Sequence, residues 1–241
     1  MIDKSSPLPI YFQIEEQLKK QIDNGELQPH DALPSEREYA EQFQISRMTV
    51  RQAINNLVND GYLYRQKGRG TFVAEKKLEQ QLVGLTSFTE DMKARGMEPS
   101  SKLLSFEIIP ASEKIATQLQ IDTYAPVYEI KRIRLADNVP MALETVYMSA
   151  NLIKGLTEEI INQSLYQYIE NQSGLKIGQA TQTFESSIAS DAETVHLKIP
   201  KRSPILLIQR NTYLENGTPL EVVRSLYRAD RYKFTITMAR M

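Results

Sequence analysis

The sequence of 241 residues contains no cysteine and only two histidines, His30 and His196. Without cysteine the chain has neither disulfides nor thiolate metal ligands, and two isolated histidines do not form a metal-ligand cluster. No apolar run approaches the roughly 18 residues that a membrane-spanning helix requires. Residues 1–7 also lack the apolar core of a signal peptide. We therefore expect a cytoplasmic protein that binds no metal and no membrane.

Neither sign of charge dominates, because 29 lysines and arginines oppose 30 aspartates and glutamates. Hydrophobic residues make up 41% of the chain and charged residues 24%, as is typical of a soluble globular protein. The length leaves room for two domains of ordinary size. A polar stretch without a core pattern separates them. We predict a first domain at residues 1–74, a linker at residues 75–83 and a second domain at residues 84–241.

The first domain is organised around residues 34–73, PSEREYAEQFQISRMTVRQAINNLVNDGYLYRQKGRGTFV. Ser35 and Glu38 have the spacing of a capping box that starts one helix, and Ser46 is the predicted N-cap of a second. The second helix buries an apolar face and exposes a polar, cationic one. That face carries Arg47, Thr49, Arg51, Gln52, Asn55 and Asn56. Such a helix fits the major groove of DNA, where arginine reads guanine and asparagine or glutamine reads adenine.

Residues 62–73 change to an alternating pattern that predicts a β-hairpin. Its tip, Lys67-Gly68-Arg69-Gly70, sets glycines between cations, so that the backbone can approach a DNA groove closely. A helix pair followed by this hairpin predicts a winged helix-turn-helix.

The basic charge of this module is local. Residues 46–70 hold five basic residues against one acidic residue, a net charge of +4, whereas residues 1–75 hold nine against eleven, a net of −2. A basic edge on an acidic module can supply the phosphate contacts of DNA binding. The alternative is an ordinary amphipathic helix pair with solvated charges, but the hairpin and both caps favour DNA binding.

Residues 34–73 resemble the winged helix-turn-helix of GntR-family bacterial transcription regulators, and the preceding Pro9-Ile10-Tyr11 with its apolar stripe resembles that family's first helix. The resemblance implies a homodimeric repressor bound to a palindromic double-stranded operator. We predict guanine contacts for Arg37 and Arg47. We predict phosphate, base-edge or minor-groove contacts for Ser35, Thr49, Arg51, Lys67, Gly68 and Arg69.

The second domain contains an internal repeat. Residues 112–132 match residues 190–210 at six of 21 positions, where chance would give about one or two. The identities are Ser112/Ser190, Leu119/Leu197, Ile121/Ile199, Pro126/Pro204, Ile130/Ile208 and Arg132/Arg210. Each copy predicts a serine-capped helix, a turn and a strand that returns as a hairpin. Two such units predict an α+β domain with an antiparallel sheet, helices on one face and pseudo-twofold symmetry.

Arg132 and Arg134 are two residues apart on a predicted strand, so their side chains share one face. Two like charges side by side repel unless an anion lies between them. Two predicted helices with capping serines, Ser87 and Ser164, would offer free N–H groups to the same anion. One interpretation is therefore a phosphate site. The other interpretation is that the serines only cap and that the arginines pair with Glu129 or Glu144. The residues alone leave both interpretations open.

Residues 84–241 resemble the UTRA ligand-sensing domain of the HutC-type subfamily, whose fold is similar to chorismate lyase, and are most similar to N-acetylglucosamine-utilisation repressors. The matching segments are residues 85–93, 132–135, 164–166 and 227–232. The resemblance implies an effector, glucosamine-6-phosphate or N-acetylglucosamine-6-phosphate, and no cofactor. It assigns the phosphate to Phe88, Thr89, Arg132, Arg134, Ser164 and Tyr166. It assigns the sugar hydroxyl groups to Glu144, Glu221 and Tyr227, although either glutamate could instead be a surface charge.

The hypothesis that follows is a transcriptional repressor of N-acetylglucosamine utilisation genes that a phosphorylated amino sugar releases or reorients. An alternative keeps the repressor but changes the effector to another sugar phosphate, a phosphonate or an imidazole catabolite. A third possibility is an enzyme, because the second domain is similar to a lyase and Glu144 with Glu221 could act as acid and base. Fold alone does not give activity, and we predict no catalytic residue.

Overall fold

The computed structural model describes residues 2–171 and 173–240, which form two compact units. The first unit ends at Lys77 and the second begins at Leu78. The first unit contains α1 (Ile10–Asp23), α2 (Glu36–Phe43), α3 (Arg47–Asn59), β1 (Leu63–Gln66) and β2 (Gly70–Val73). The second unit contains β3 (Leu78–Gln81), α4 (Phe88–Ala94), β4 (Pro99–Pro110), α5 (Glu113–Leu119), β5 (Pro126–Ala136), β6 (Val139–Ser149), α6 (Glu158–Asn162), α7 (Leu165–Asn171), β7 (Ile177–Ile188), α8 (Asp191–Leu197), β8 (Pro204–Leu214), β9 (Pro219–Arg228) and β10 (Tyr232–Thr235).

The predicted helix caps of the first unit are confirmed. The Glu38 backbone N–H donates to Ser35 Oγ at 3.2 Å, and the Ser35 N–H donates to Glu38 Oε2 at 2.6 Å, which completes the capping box. Ser46 Oγ accepts the Met48 N–H at 3.1 Å and starts α3. Each cap contributes about 1 kcal/mol, which matters for helices as short as α2.

The apolar side of α3 forms the centre of the first unit. Val50, Ile54 and Leu57 are buried against Ile14 and Leu18 of α1, as the stripe spacing predicts. Burying each leucine or isoleucine stabilises the unit by about 1.5–3 kcal/mol. The opposite side of α3 therefore stays on the surface.

The linker predicted at residues 75–83 is wrong in its extent, because Leu78–Gln81 form β3. This strand pairs in parallel with β10 (Tyr232–Thr235) and so belongs to the second unit. Its sequence, LEQQ, has no core pattern of its own. The pairing partner lies at the far end of the chain, which no local pattern reveals.

Six strands form one antiparallel sheet in the order β4-β5-β6-β9-β8-β7, and its two halves are related about the β6–β9 pair. This arrangement confirms the repeat. Ser112 and Ser190 cap α5 and α8, and each of these helices ends at a left-handed residue, Gln120 (φ 52°) and Lys198 (φ 53°), exactly where the 78-residue offset places them. The pseudo-twofold symmetry brings corresponding residues of β5 and β8 to the same face of the sheet.

Helices cover both faces of the sheet rather than one. The repeat helices α5 and α8 share one face, where Leu119 packs with Val222 and Leu197 with Leu226. The other face carries α6 and α7, whose apolar side chains pack on Val146. The prediction of helices on one face is thus correct only for the repeat helices, because residues 150–171 gave no strand-to-helix pattern that assigned them a face.

Candidate functional site

Two of the predicted DNA-contacting residues, Arg37 of α2 and Arg47 of α3, lie close together on the surface. Arg47 and Met48 are exposed in its first turn. A shallow surface depression lined by Arg37, Glu41, Ile45 and Arg47 places the two predicted guanine-reading arginines beside each other. The Arg37 side chain is exposed there, and its Nε donates to Glu41 Oε1 at 2.8 Å. The geometry suits a helix that reads base edges with its N-terminal turn.

Glu36, at the start of α2, was not predicted as a site residue and connects three elements. Its Oε2 accepts a 2.9 Å bond from Arg51 Nε of α3, and its Oε1 accepts a 3.1 Å bond from Arg65 Nη2 of β1. The bond to Glu36 raises the pKa of Arg51. Both guanidinium groups are therefore already paired, while the Ser35 oxygen is used in the helix cap.

The wing is a two-stranded hairpin whose tip lies open to solvent. Lys67, Gly68 and Arg69 are exposed between β1 and β2. Gly68 has φ +76°, a left-handed conformation in which a side chain would be strained, although an added Cβ would meet no atom within 4 Å. The tip can therefore approach another molecule with bare backbone between two cations.

In the second unit, all nine predicted effector residues line one pocket on the face of the sheet that α6 and α7 share. The space between the side chains that line it amounts to about 730 Å³, part of which is open to solvent. Its lining includes Phe88, Thr89, Arg132, Arg134, Glu144, Ser164, Tyr166, Glu221 and Tyr227. The structure shows that these residues converge, and their roles stay predictions.

Arg132 pairs with a carboxylate, as the non-phosphate interpretation requires. Its Nε donates to Glu144 Oε1 at 2.6 Å, and its Nη1 donates to the Ile161 carbonyl at 2.7 Å. Burial alone would raise the pKa of Glu144, but Arg132 and Arg134 hold it below the usual value. Glu129 is not the partner, because it accepts bonds from Lys131 and the Tyr147 hydroxyl instead.

Arg134 is neutralised much less completely. Its Nη2 donates to Thr89 Oγ1 at 3.0 Å, its guanidinium lies 4.6 Å from the centre of the Phe88 ring, and its Nη1 is 3.9 Å from Glu144 Oε1. Among the described residues its buried Nε has no hydrogen-bond partner. Burial and the neighbouring Arg132 lower the pKa of Arg134 to about 10. This cation is the strongest electrostatic reason for an anion to enter the pocket.

A third cluster occupies the other half of the pocket. The Tyr166 hydroxyl donates to Glu221 Oε1 at 2.7 Å, and Thr212 Oγ1 donates to the same oxygen at 3.0 Å. Burial raises the pKa of Glu221, and it also raises the pKa of Tyr227 to about 12. Glu144 and Glu221 are 8% and 3% exposed, so the surface-charge alternative is wrong for both. These groups can hydrogen-bond the hydroxyls of a sugar.

Sequence reasoning missed several pocket residues, of which Arg210 is the most informative. It lies on β8 and donates from Nε to Gln182 Oε1 at 2.7 Å. The repeat matches Arg210 with Arg132, so the internal symmetry could have identified it. Ser87 also lines the pocket and caps α4, whereas the Ser164 oxygen accepts the Gln167 N–H at 3.4 Å.

The part of the chain that the structure describes contains no group of three or more side chains placed to hold a metal ion. Its longest helix, α1, has 14 residues, and no described helix combines the length and apolar character of a membrane span.

A winged helix-turn-helix joined to an α+β unit with a charged pocket is the architecture of a DNA-binding transcription regulator. Residues 10–73 match the bacterial regulatory proteins of the gntR family, and residues 94–233 match the UTRA domain. The chain belongs to the gntR family of transcription regulators, and its second unit is a UTRA domain of the HutC type.

The chain is 53% identical over 240 residues to the HTH-type transcriptional repressor NagR of Bacillus subtilis, which covers 100% of this chain and 99% of the relative. It is 37% identical to the HTH-type transcriptional repressor PhnF of Mycolicibacterium smegmatis, over 86% of this chain and 84% of the relative. The crystal structure of PhnF from Mycobacterium smegmatis superposes with a TM-score of 0.68 at 34% identity, covering 96% of this chain and 99% of that one. The prediction of a GntR-type regulator with an α+β UTRA domain is confirmed.

Proposed function

We propose that this protein represses amino-sugar utilisation genes and that glucosamine-6-phosphate or N-acetylglucosamine-6-phosphate, bound in the UTRA pocket, lowers its affinity for the operator. The likeness to NagR over the whole chain supports the repressor and the gene class. The observation that carries the effector is Arg134, a buried guanidinium with an unpartnered Nε, in the lining of a pocket with several other polar side chains.

The charge balance of the pocket supports a phosphorylated ligand. Three arginines line it, at positions 132, 134 and 210, against Glu144, Glu221 and an aspartate that is paired with Arg95. Glu221 has a raised pKa and so gives up its proton less readily. An excess of positive charge in a largely buried site favours an anion, and a planar guanidinium binds phosphate through two parallel bonds.

The polar groups of the pocket divide along the two halves of the sheet. Arg134 lies beside Phe88 and Thr89, the first residues of α4, whose backbone N–H groups have no acceptor within the helix. Glu221 and Tyr166 lie on the other side and offer carboxylate and hydroxyl oxygens, and the buried Thr212 hydroxyl supports Glu221 from behind. We assign the phosphate to the first group and the sugar ring to the second. This moves Tyr166, which the family resemblance gives to the phosphate, to the sugar side, because its hydroxyl donates to Glu221.

On the DNA side we propose that a homodimer binds a palindromic operator. Two copies of α3 would lie in successive major grooves, and the half-site spacing would match one helical turn of DNA or a multiple of it. An effector can reduce this binding only if it favours a state of the dimer that binds operator less well.

Calorimetry with four ligands tests the effector directly. The full-length protein is titrated with glucosamine-6-phosphate, N-acetylglucosamine-6-phosphate and the two unphosphorylated sugars. We expect binding of at least one phosphorylated sugar to be about 100-fold tighter than binding of its unphosphorylated form, because charge-assisted bonds contribute about 1.5–3 kcal/mol each. Equal affinity for both forms would contradict the phosphate assignment.

A different effector on the same repressor is the second candidate. Relatives of similar architecture include the mannosyl-D-glycerate transport/metabolism system repressor of Escherichia coli, at 36% identity, and the histidine utilization repressor of Pseudomonas putida, at 29%. The systems that these relatives are named for differ from one another, so family membership alone does not fix the effector. Adding another sugar phosphate, a phosphonate and an imidazole catabolite to the titration separates these possibilities. Turnover of any ligand during incubation would instead support the enzyme hypothesis.

A further inference from the structure

Arg132 and Arg210 occupy equivalent positions in the two repeats, and each bonds one neighbouring strand and one backbone carbonyl, although Arg132 bonds the inner strand β6 and Arg210 the edge strand β7. Arg132 Nε is held by Glu144 on the adjacent strand β6, and Arg210 Nε is held by Gln182 on the adjacent strand β7. In each case Nη1 donates to a backbone carbonyl. Arg132 Nη1 donates to Ile161 O at 2.7 Å, and Arg210 Nη1 donates to Thr86 O at 3.1 Å.

The two carbonyls belong to the segments that lead into the two pocket helices. Ile161 lies in α6, three residues before Ser164 and the start of α7. Thr86 immediately precedes Ser87, the N-cap of α4. Each arginine therefore acts as a clamp, a side chain on the sheet that is bonded to the backbone of a connecting segment. Arg132 holds the segment before α7 against β5, and Arg210 holds the segment before α4 against β8.

We propose that Arg210 is a positioning residue for the effector site, acting through Thr86 rather than by contact with the effector. By holding this carbonyl it fixes the cap of α4, which places Phe88 on the Arg134 guanidinium and Thr89 Oγ1 within 3.0 Å of Arg134 Nη2. The expected effect on effector binding rests on the proposed function, whereas the bond between Arg210 and Thr86 rests only on the geometry.

The clamped segment also lies next to the DNA-binding unit along the chain. Residues 82–87 connect β3 to α4, and β3 begins at Leu78, the first residue of the second unit. Gln80 of β3 lines the same pocket. In the sequence, Thr86 therefore lies between β3, where the second unit begins, and the α4 residues of the pocket.

The test compares full-length Arg210→Gln and Arg210→Lys with Arg224→Gln, which removes an exposed arginine from β9. Amide hydrogen exchange is measured without effector, after thermal melts show that each variant is folded. We expect exchange across residues 82–91 to rise severalfold in Arg210→Gln, with residues 158–165 unchanged. Arg210→Lys should restore part of the protection, and the control should match the original protein.

Calorimetry with glucosamine-6-phosphate and its N-acetyl form completes the test. We expect Arg210→Gln to weaken binding of the preferred sugar phosphate by tenfold or more, while Arg224→Gln binds it as the original protein does. Weaker binding with unchanged exchange would mean that Arg210 contacts the effector directly and would overturn the positioning role. If the original protein binds neither sugar phosphate, the proposed function fails, and the exchange experiment alone still decides whether the clamp exists.

Discussion

Ion pairs of nearly equal length occupy very different surroundings in the two units. In the DNA-binding unit Arg37 and Glu41 are bonded at 2.8 Å with side chains 75% and 64% exposed. In the UTRA unit Arg132 and Glu144 are bonded at 2.6 Å with side chains 6% and 10% exposed. Water and salt screen the first pair, which contributes between zero and about 1 kcal/mol, whereas the second holds two charges that have lost their hydration.

The difference matches what each surface has to do. Exposed arginines can exchange a weak carboxylate partner for a DNA phosphate or base at little cost. Buried arginines are fixed before the ligand arrives, so less conformational entropy is lost when it binds. The unequal pairing of Arg132 and Arg134 then concentrates uncompensated charge on one guanidinium.

The largest expected effect comes from breaking the buried pair. Arg132→Met leaves Glu144 ionised and buried, with only Arg134 at 3.9 Å, and removes the donor to the Ile161 carbonyl. We expect the free energy of unfolding of the UTRA unit to fall by about 3–5 kcal/mol. Chemical denaturation of the full-length protein measures the loss.

The double variant Arg132→Met/Glu144→Leu is the matched control. It removes both charges, so we expect it to recover most of the stability lost in Arg132→Met. Equal destabilisation of the single and double variants would show that packing, and not the unpaired carboxylate, accounts for the loss.

The second effect is on DNA specificity. Arg47 is exposed in the first turn of α3, and Arg47→Ala should leave stability unchanged while reducing preference for the operator over random DNA by about tenfold to 100-fold, the value of one bidentate guanine contact at about 1–3 kcal/mol. Gel shifts with both duplexes at one salt concentration measure the ratio. An unchanged ratio would remove Arg47 from the base-reading residues.

Most of this architecture follows from local pattern. The caps at Ser35 and Ser46, the glycine-rich wing tip and the repeat that begins at Ser112 and Ser190 each depend on residues close together in sequence, so the sequence predicts them. Strand β3 escaped prediction because its pairing partner, β10, is more than 150 residues away and its own residues are polar. Long-range pairing leaves no local period to read.

The pocket could be predicted only in part for a similar reason. The nine residues came from family resemblance, and the structure shows that they converge. What the sequence left open was which carboxylate each arginine meets. That depends on strand register, which pairs Arg132 with Glu144 and leaves Glu129 on the opposite face with Lys131.

The third effect reverses the sign of the first. A pKa of about 10 for Arg134, against 12.5 for a free guanidinium, means that burial and the neighbouring Arg132 together disfavour its charged form by on the order of 3 kcal/mol. Arg134→Met removes this cost and leaves the Arg132–Glu144 pair intact. We therefore expect the unliganded protein to become more stable by about 1–2 kcal/mol, while affinity for the sugar phosphate falls at least tenfold.

Thermal melts with and without the preferred sugar phosphate measure both quantities. The ligand raises the melting midpoint of the original protein by mass action, and we expect that increment to vanish in the variant. Loss of stability in Arg134→Met would mean that its contacts with Phe88 and Thr89 outweigh the cost of burying the charge.

The smallest effect concerns Glu36, whose carboxylate accepts hydrogen bonds from Arg51 of α3 and Arg65 of the wing strand β1. Glu36→Gln should cost about 1 kcal/mol of stability or less, because the side chains of Arg51 and Arg65 are 43% and 45% exposed and solvent screens both pairs. With the charge gone, both guanidiniums can turn to phosphates, so affinity for random DNA should rise severalfold and depend more steeply on salt. Operator preference should fall, because the helix and the wing are no longer tied together.

Glu41→Gln is the control for that variant, since it removes the same charge from the same helix but releases only Arg37. We expect it to raise affinity for random DNA as well, while the salt dependence changes by at most one phosphate contact. The deciding quantity is the ratio of operator to random-DNA affinity at matched salt. If Glu36→Gln and Glu41→Gln change this ratio equally, Glu36 acts as a general surface charge, and the exposed pairs of the DNA-binding unit have no positioning role.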